Sequence, residues 1–327
     1  MRFDTAILDL DGVVYIGPDA VPHAITALNA LAAEGTRLAA ATNNANRPSS
    51  EVARHLQQLG LAIQPDDVMT SAQAAAAFLA QELPTGSPVL AVGGAGVSEA
   101  LTAEGLLPLR ASADLAQSSR VADQCAAVMV GYGPLVAWFD LAAAHWAIDR
   151  GKRWVATNTD PTVPLPFGRA PGNGAMVGLL ERSTGRAPEV IGKPQPALFE
   201  ALLERVGGTR ALVIGDRLDT DIDGAIAAGI ESLLVFTGVH GPQDLAARPF
   251  ADWPSFVAQD LRSLQRPVVE LGWVEGRVEC SSQHPTVQAV VAAANASWQH
   301  QPLDPPLAFP TDASPLIDIR PLRHGTV

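Results

Sequence analysis

The chain has 327 residues, enough for two or three domains that each bury a core. Its 47% hydrophobic and 17% charged content is that of a globular protein, and its net charge of −12 speaks against a nucleic-acid surface, because phosphate backbones select basic faces. No stretch approaches the roughly 18 uninterrupted apolar residues of a membrane span, so no membrane partner is expected.

Met1–Asp4 leads straight into the first predicted element, which leaves no room for a signal peptide. Thr5-Ala6-Ile7-Leu8 reads as a buried strand, and Asp9 and Asp11 stand where it ends. In an open parallel sheet ligands bind beyond the carboxyl ends of the strands. Two carboxylates there make a poor core and a good site for a hard cation, with one able to attack an electrophile and the other to carry a proton. Asp-x-Asp-Gly also occurs in ordinary turns, so the pair needs company.

A helix through Ala24–Ala33 is stopped by Gly35, and Leu38–Thr42 is the next strand. Thr42-Asn43-Asn44 follows; a hydroxyl and amides there can donate to anionic oxygens, and the same residues also read as a helix cap before Pro48-Ser49-Ser50-Glu51. Strands are then predicted at Pro88–Val92, Ala126–Val130 and Arg153–Thr157, alternating with helices such as Val136–Asp149. Gly93-Gly94-Ala95-Gly96 lacks the spacing and the distant acid of a dinucleotide loop and reads as a tight strand-to-helix turn. Asn158 and Asp160 lie in a turn-rich loop that runs through Pro164-Leu165-Pro166 to Gly172-Asn173-Gly174; it either faces a substrate or only joins two parts of the chain. Gly192-Lys193-Pro194 presents an ammonium on a constrained backbone. Ala211–Asp216 is a further strand, and Gly215-Asp216-Arg217-Leu218-Asp219-Thr220-Asp221 puts an acid cluster at its mouth, where repulsion requires a cation or base. Ser232–Thr237 closes the alternating pattern.

After residue 262 the character changes: Val268–Val274 reads as a strand, Thr286–Trp298 as a helix and Leu303–Pro315 as a proline-rich tail. The two cysteines, Cys125 and Cys280, are far apart and lack metal-ligand spacing, which suits a reducing cytoplasm. The expected fold is α/β: a Rossmann-like, doubly wound parallel-sheet core over residues 1–82 and 186–262, an inserted α/β cap over 83–185, and a small α+β C-terminal appendage over 263–327.

Taken as a set and in this order, Asp9-x-Asp11, Thr42, Lys193 and the Asp216 cluster resemble the haloacid-dehalogenase superfamily of phosphohydrolases over about the first 260 residues. The resemblance implies Asp9 as the nucleophile that takes the phosphoryl group and Asp11 as the acid and then the base. It implies Thr42 and Lys193 as holders of the phosphoryl oxygens. Mg²⁺ would lie on the Asp9 carboxylate, the Asp11 backbone carbonyl and Asp216, with Asp221 orienting Lys193 or the waters of the metal. The short interval between Asp11 and Thr42 leaves no room for a helical cap there. The insertion between Thr42 and Lys193 looks like the type IIA cap of the p-nitrophenylphosphatase-like group, which puts Asn43, Asn44, Asn158 and Asp160 toward substrate.

That group dephosphorylates small metabolites, and the expected partner is a small phosphorylated metabolite. Glycerol 3-phosphate comes first; phosphoglycolate, pyridoxal phosphate and nucleotides follow. Some members carry a C-terminal extension that resembles a fragment of an acetyltransferase fold. No Gly-rich pyrophosphate loop is found in this one, so it is expected to pack on the core or to form a homo-oligomer contact, with a regulatory ligand site as the lesser alternative. The rival from another class is a phosphometabolite-binding sensor on the same fold. The loss of Asp9 or Asp11 would mark it, and neither is lost.

Overall fold

The computed structural model describes residues 3–165, 167–274, 277–299 and 314–320. Pro166 and the 303–313 part of the proline-rich stretch lie outside the described residues. The chain divides into two compact units.

Unit 1 comprises Met1–Ala40, Gln57–Ile63 and Gly207–Val327. Its part of an eight-stranded sheet runs in the order Val268–Glu270, Leu316–Asp318, Phe256–Ala258, Glu231–Val235, Ala211–Gly215, Thr5–Leu8 and the first residues of Arg37–Thr42. From Phe256–Ala258 to Arg37–Thr42 every pairing is parallel, as a βαβ sequence of buried apolar strands dictates. Thr5–Leu8, all four residues of which are buried, has Arg37–Thr42 on one side and Ala211–Gly215 on the other, so the winding reverses at its edge. Asp9 and Asp216 therefore leave the sheet from adjacent strand ends, pinned there by Asp9 N–H donating to the Ile214 carbonyl at 2.8 Å. The helix Ala24–Ala33 has the predicted bounds, and Gly35 turns the chain out of it at φ +97°.

The appendage is built into this sheet. Leu316–Asp318 pairs antiparallel with Phe256–Ala258, and Val268–Glu270 pairs parallel with Leu316–Asp318. The predicted strand Val268–Val274 is two strands: the chain bends at buried Leu271, whose N–H turns to the Asp318 carbonyl, and Gly272–Val274 forms a separate hairpin with Arg277–Glu279. Helix Pro285–Gln299 contributes Val287, Val290, Ala293 and Ala294 to one apolar cluster with Leu234, Trp253, Val257 and Ile317. Arg320 fixes this edge. Its guanidinium bonds Asp318 and Glu231 and lies over the Phe256 ring, and these carboxylates push its pKa up.

Unit 2 comprises Ala41–Leu56 and Gln64–Val206. Its five-stranded sheet is parallel throughout, in the order Glu189–Val190, Arg153–Ala156, Ala127–Val130, Pro88–Val92 and Leu107–Leu109. Its core is drawn from Leu90, Val92, Val128, Val130, Ala143, Ala147, Trp154, Val177 and Leu180. Gly93–Gly96 is the predicted strand-to-helix turn: Gly93 and Gly94 follow Pro88–Val92, and Ala95 and Gly96 open the helix Ala95–Ala103. A hairpin of Thr162–Leu165 and Gly168–Pro171 follows Arg153–Ala156.

Candidate active site

In unit 1 the loops beyond the strand ends gather carboxylates. Oxygens of Asp9, Asp216 and Asp221 all lie within 4.8 Å of one another, with Asp216 and Asp221 buried. Asp216 follows its strand directly. Asp221 is brought back to it by a π-helical turn over Leu218–Ile222, a geometry that recurs at functional sites. Within that turn the Asp221 carboxylate accepts the Arg217 N–H at 3.1 Å. Asp219, from the same acid run, points elsewhere: Arg217 forks onto it at 3.0 and 2.7 Å. Burial pushes the Asp219 carboxyl up, but Arg217 and the nearby His240 outweigh it and hold the group below its ordinary range.

Asp216 is gripped by a second loop. Its Oδ2 accepts the Val239 N–H at 2.7 Å, and its carbonyl accepts the His240 N–H at 3.1 Å. Two glycines make this approach feasible. A Cβ on Gly238 would stand 1.9 Å from Asp216 Oδ2, and one on Gly12, already at φ +88°, would stand 2.5 Å from the same atom. The Thr237 hydroxyl donates to the Gly12 carbonyl at 2.6 Å and ties the two loops together. Asp11 is exposed beside them, its backbone bridged to Tyr15, and it is not one of the three clustered carboxylates.

Three converging carboxylates, two of them buried, repel one another unless a cation offsets the charge, and their hard oxygens match Mg²⁺. The donor set therefore fits a divalent metal. Asp221, read from the sequence as an orienting group, stands in the cluster itself.

In unit 2 Thr42 and Asn44 share one set of hydrogen bonds, and Asn43, Asn158, Asp160 and Lys193 share another. Thr42 is buried, and its hydroxyl accepts the Asn44 N–H at 3.1 Å, while the Asn44 side chain accepts the Asn46 N–H at 3.0 Å. Lys193 is 3% exposed and its Nζ donates to the Ala41 carbonyl at 3.0 Å. Asn43 Nδ2 donates to Asp160 Oδ2, and Asn158 Nδ2 donates to the Asn43 carbonyl. Asn158 is buried and its Oδ1 accepts the Asp160 N–H at 3.1 Å, so its amide is committed inside the loop.

Sequence reasoning missed Ser71, whose hydroxyl donates to the Asn43 carbonyl, and the Thr237-Gly238-Val239 loop around Asp216. A Thr-Gly pair where the predicted strand Ser232–Thr237 ends was the available signal for the second. For Ser71, at the start of a helix capped by Thr70, there was none.

A parallel sheet with converging carboxylates at adjacent strand ends is an architecture of metal-dependent hydrolases of the α/β type. Residues 6–107 match the family of haloacid dehalogenase-like hydrolases, and residues 190–264 match the HAD-hydrolase-like family. The chain is 43% identical over 263 residues to the D-glycerol 3-phosphate phosphatase of Mycobacterium tuberculosis, covering 80% of this chain and 71% of that protein. It is 33% identical to an acid sugar phosphatase of Staphylococcus saprophyticus over 80% of this chain and 97% of that one. Among solved structures, the magnesium complex of the M. tuberculosis glycerol phosphate phosphatase superposes with a TM-score of 0.79 at 38% identity, covering 93% of this chain and 92% of that one. A p-nitrophenyl phosphatase from Archaeoglobus fulgidus gives 0.72 at 27% identity, covering 81% and 98%. The chain belongs to the haloacid dehalogenase-like hydrolases and is a phosphoric monoester hydrolase, with p-nitrophenylphosphatase-type enzymes among its structural neighbours.

Proposed function

We propose that the chain is a Mg²⁺-dependent phosphomonoesterase that works through an aspartyl-phosphate on Asp9, with glycerol 3-phosphate as its first-choice substrate. The observation that carries the reading is the meeting of Asp9, Asp216 and Asp221 at the carboxyl ends of neighbouring parallel strands. When bound, Mg²⁺ neutralises the carboxylates and the phosphoryl oxygens, so that one anion can approach another.

An Asp9 carboxylate oxygen attacks phosphorus in line. The new O–P bond forms as the ester O–P bond breaks, and the leaving alkoxide takes its proton from Asp11. Asp11, now a carboxylate, accepts a proton from water as that water attacks the aspartyl-phosphate, which releases phosphate and restores Asp9. Thr42 and Lys193 are assigned to the phosphoryl oxygens, with the buried ammonium supplying a fixed positive charge. Asp216 and Asp221, with Asp9 and the Asp11 carbonyl, are assigned to the metal.

Asn44 and Asp160 are assigned to the substrate side, Asp160 from a cap over residues 83–185. Asn43 and Asn158, whose amides are bonded within the chain, serve placement. The substrate choice draws on the 43% identity to an enzyme named for D-glycerol 3-phosphate. Phosphoglycolate, pyridoxal phosphate and nucleotides stand behind it. A cytoplasmic location goes with the free thiols of Cys125 and Cys280.

The test is phosphate release from these four substrate classes with Mg²⁺ and with EDTA. Metal-dependent turnover of glycerol 3-phosphate well above the others is the expected result. Turnover that survives EDTA rejects the metal assignment, and preference for another ester rejects the substrate.

A further inference from the structure

Asn43 stands one residue beyond the strand that ends at Thr42, where an amide is expected to face a ligand. Its bonds run elsewhere. Oδ1 accepts the Lys193 N–H at 2.9 Å, and Nδ2 donates to the Lys193 carbonyl and to Asp160 Oδ2, both at 3.1 Å. Its own carbonyl accepts the Ser71 hydroxyl and the Asn158 amide, each at 2.7 Å. The side chain thus grips the Lys193 residue on both its N–H and its C=O while holding the carboxylate of a different loop. The preceding Gly192 allows this: a Cβ there would lie 2.6 Å from Asn43 Oδ1 and 2.3 Å from the Thr157 carbonyl. All these partners are in unit 2.

We propose that Asn43 is a positioning residue whose amide locks Lys193 and Asp160 together, so that the ammonium and the Thr159–Pro161 loop hold one fixed spacing. The inference rests on reading Lys193 as the group that grips the phosphoryl oxygens. An ammonium on a four-carbon stem is a mobile point charge, and its value in phosphoryl transfer depends on where its backbone is held. Asn43 sets that backbone. Through Asp160 it also ties Lys193 to the loop assigned to the rest of the substrate, which makes specificity and phosphate grip depend on one side chain.

The experiment uses the full chain with Mg²⁺ and reads two quantities: the affinity for inorganic phosphate by calorimetry, and kcat and KM for p-nitrophenyl phosphate. Asn43→Asp keeps the acceptor for Lys193 N–H, deletes both donations and sets a carboxylate against Asp160. It is expected to lower kcat/KM by about 100-fold and to weaken phosphate binding by about tenfold or more. Adding Asp160→Asn to it re-creates the link with its polarity reversed, Asn amide to Asp carboxylate. The pair should recover about tenfold of the loss in kcat/KM and most of the loss in phosphate affinity, a coupling that independent contacts lack. Losses that simply add overturn the proposal.

Asp160→Ala, at a half-buried position, gives a milder reading. Removing an acid near an anion site tightens phosphate by charge alone, whereas loss of the link weakens it; unchanged or tighter binding overturns the proposal. Lys193→Met separates the two layers. If that variant binds phosphate like the parent chain, the reading of Lys193 itself fails. If phosphate binding is lost while the exchange pair stays additive, only the positioning role fails.

Discussion

The proposed mechanism turns on one oxygen of Asp9, which attacks phosphorus rather than only binding a metal. Asp9→Asn keeps the side chain's size but replaces one carboxylate oxygen with an amide that cannot act as a nucleophile. We expect no measurable turnover with the circular dichroism spectrum and melting temperature preserved; activity near that of the parent chain would end the assignment. Asp11→Asn removes the proposed proton donor and is expected to cost about 10²–10⁴-fold on glycerol 3-phosphate. In kcat/KM, which reports the transfer to Asp9 alone, the cost should be much smaller on p-nitrophenyl phosphate, whose leaving group departs as a stable phenolate, while kcat falls on both esters because the same group activates the water. Equal losses in kcat/KM on both esters would mean that Asp11 does not protonate the leaving oxygen.

Asp4 shows how an exposed carboxylate contributes to stability without chemistry. Its Oδ2 accepts the Thr209 N–H, the Thr209 hydroxyl and the Arg210 N–H, and these bonds, led by the Thr209 amide, hold its pKa below the ordinary 3.8. A carboxyl lowered in the folded state stabilises at pH values above its unfolded pKa and stops doing so as pH falls through the folded one. The melting-temperature gap between the parent chain and Asp4→Ala should therefore be widest above about pH 5 and should close as the pH falls well below 3.8. A gap that is constant across that window would show that the bonds act through geometry alone.

At the scale of elements, the loop after strand Glu231–Val235 acts as a clamp on Asp216. Gly238→Ala places a methyl 1.9 Å from Asp216 Oδ2, a distance that forces the carboxylate or the loop to move. We expect Mg²⁺ affinity, measured by calorimetry, to fall by about tenfold or more while the fold is kept. Unchanged affinity would show that the loop yields and the carboxylate does not.

This clamp also marks where the sequence stopped being readable. The helix Ala24–Ala33 and the strand Pro88–Val92 were legible to the residue, because their apolar runs and the glycines that follow them are local signals. The strand-end positions of Asp9 and Asp216 were legible for the same reason. The roles of Asn43 and Asn158 were not, because their partners at Asp160, Lys193 and Ser71 lie far along the chain and no periodicity reports them. Nor was Leu316–Asp318 legible as a strand: three residues after a proline-rich stretch carry no alternating pattern, and only pairing with Phe256–Ala258 makes them one. Val268–Val274 misled in the opposite sense. Its mostly apolar character, broken only by Glu270 and Gly272, hides the bend at Leu271, where a buried side chain and a backbone bond to Asp318 outweigh strand propensity.

At the scale of the molecule, the appendage and the acid loop of unit 1 share one apolar cluster. Leu218 and Ile222, at the two ends of the turn that carries Asp221, pack in the same group as Val287, Val290 and Ile317. Leu316–Asp318 and Val268–Glu270 also take the sheet beyond Phe256–Ala258, which would otherwise present an unpaired edge. Unit 1 should therefore unfold as one cooperative body that includes residues far beyond the chemistry. Ile317→Ala deletes a fully buried side chain and is expected to destabilise by about 2–5 kcal/mol. Mg²⁺ at 100 times its dissociation constant stabilises the state that binds it by about 2.7 kcal/mol. In urea melts with Mg²⁺ and with EDTA, the transition that Ile317→Ala lowers should be the same one that Mg²⁺ raises, by equal increments in parent and variant. An appendage that melts in its own metal-insensitive transition would separate it from the site, and the shared cluster would then have no bearing on how Asp221 is held.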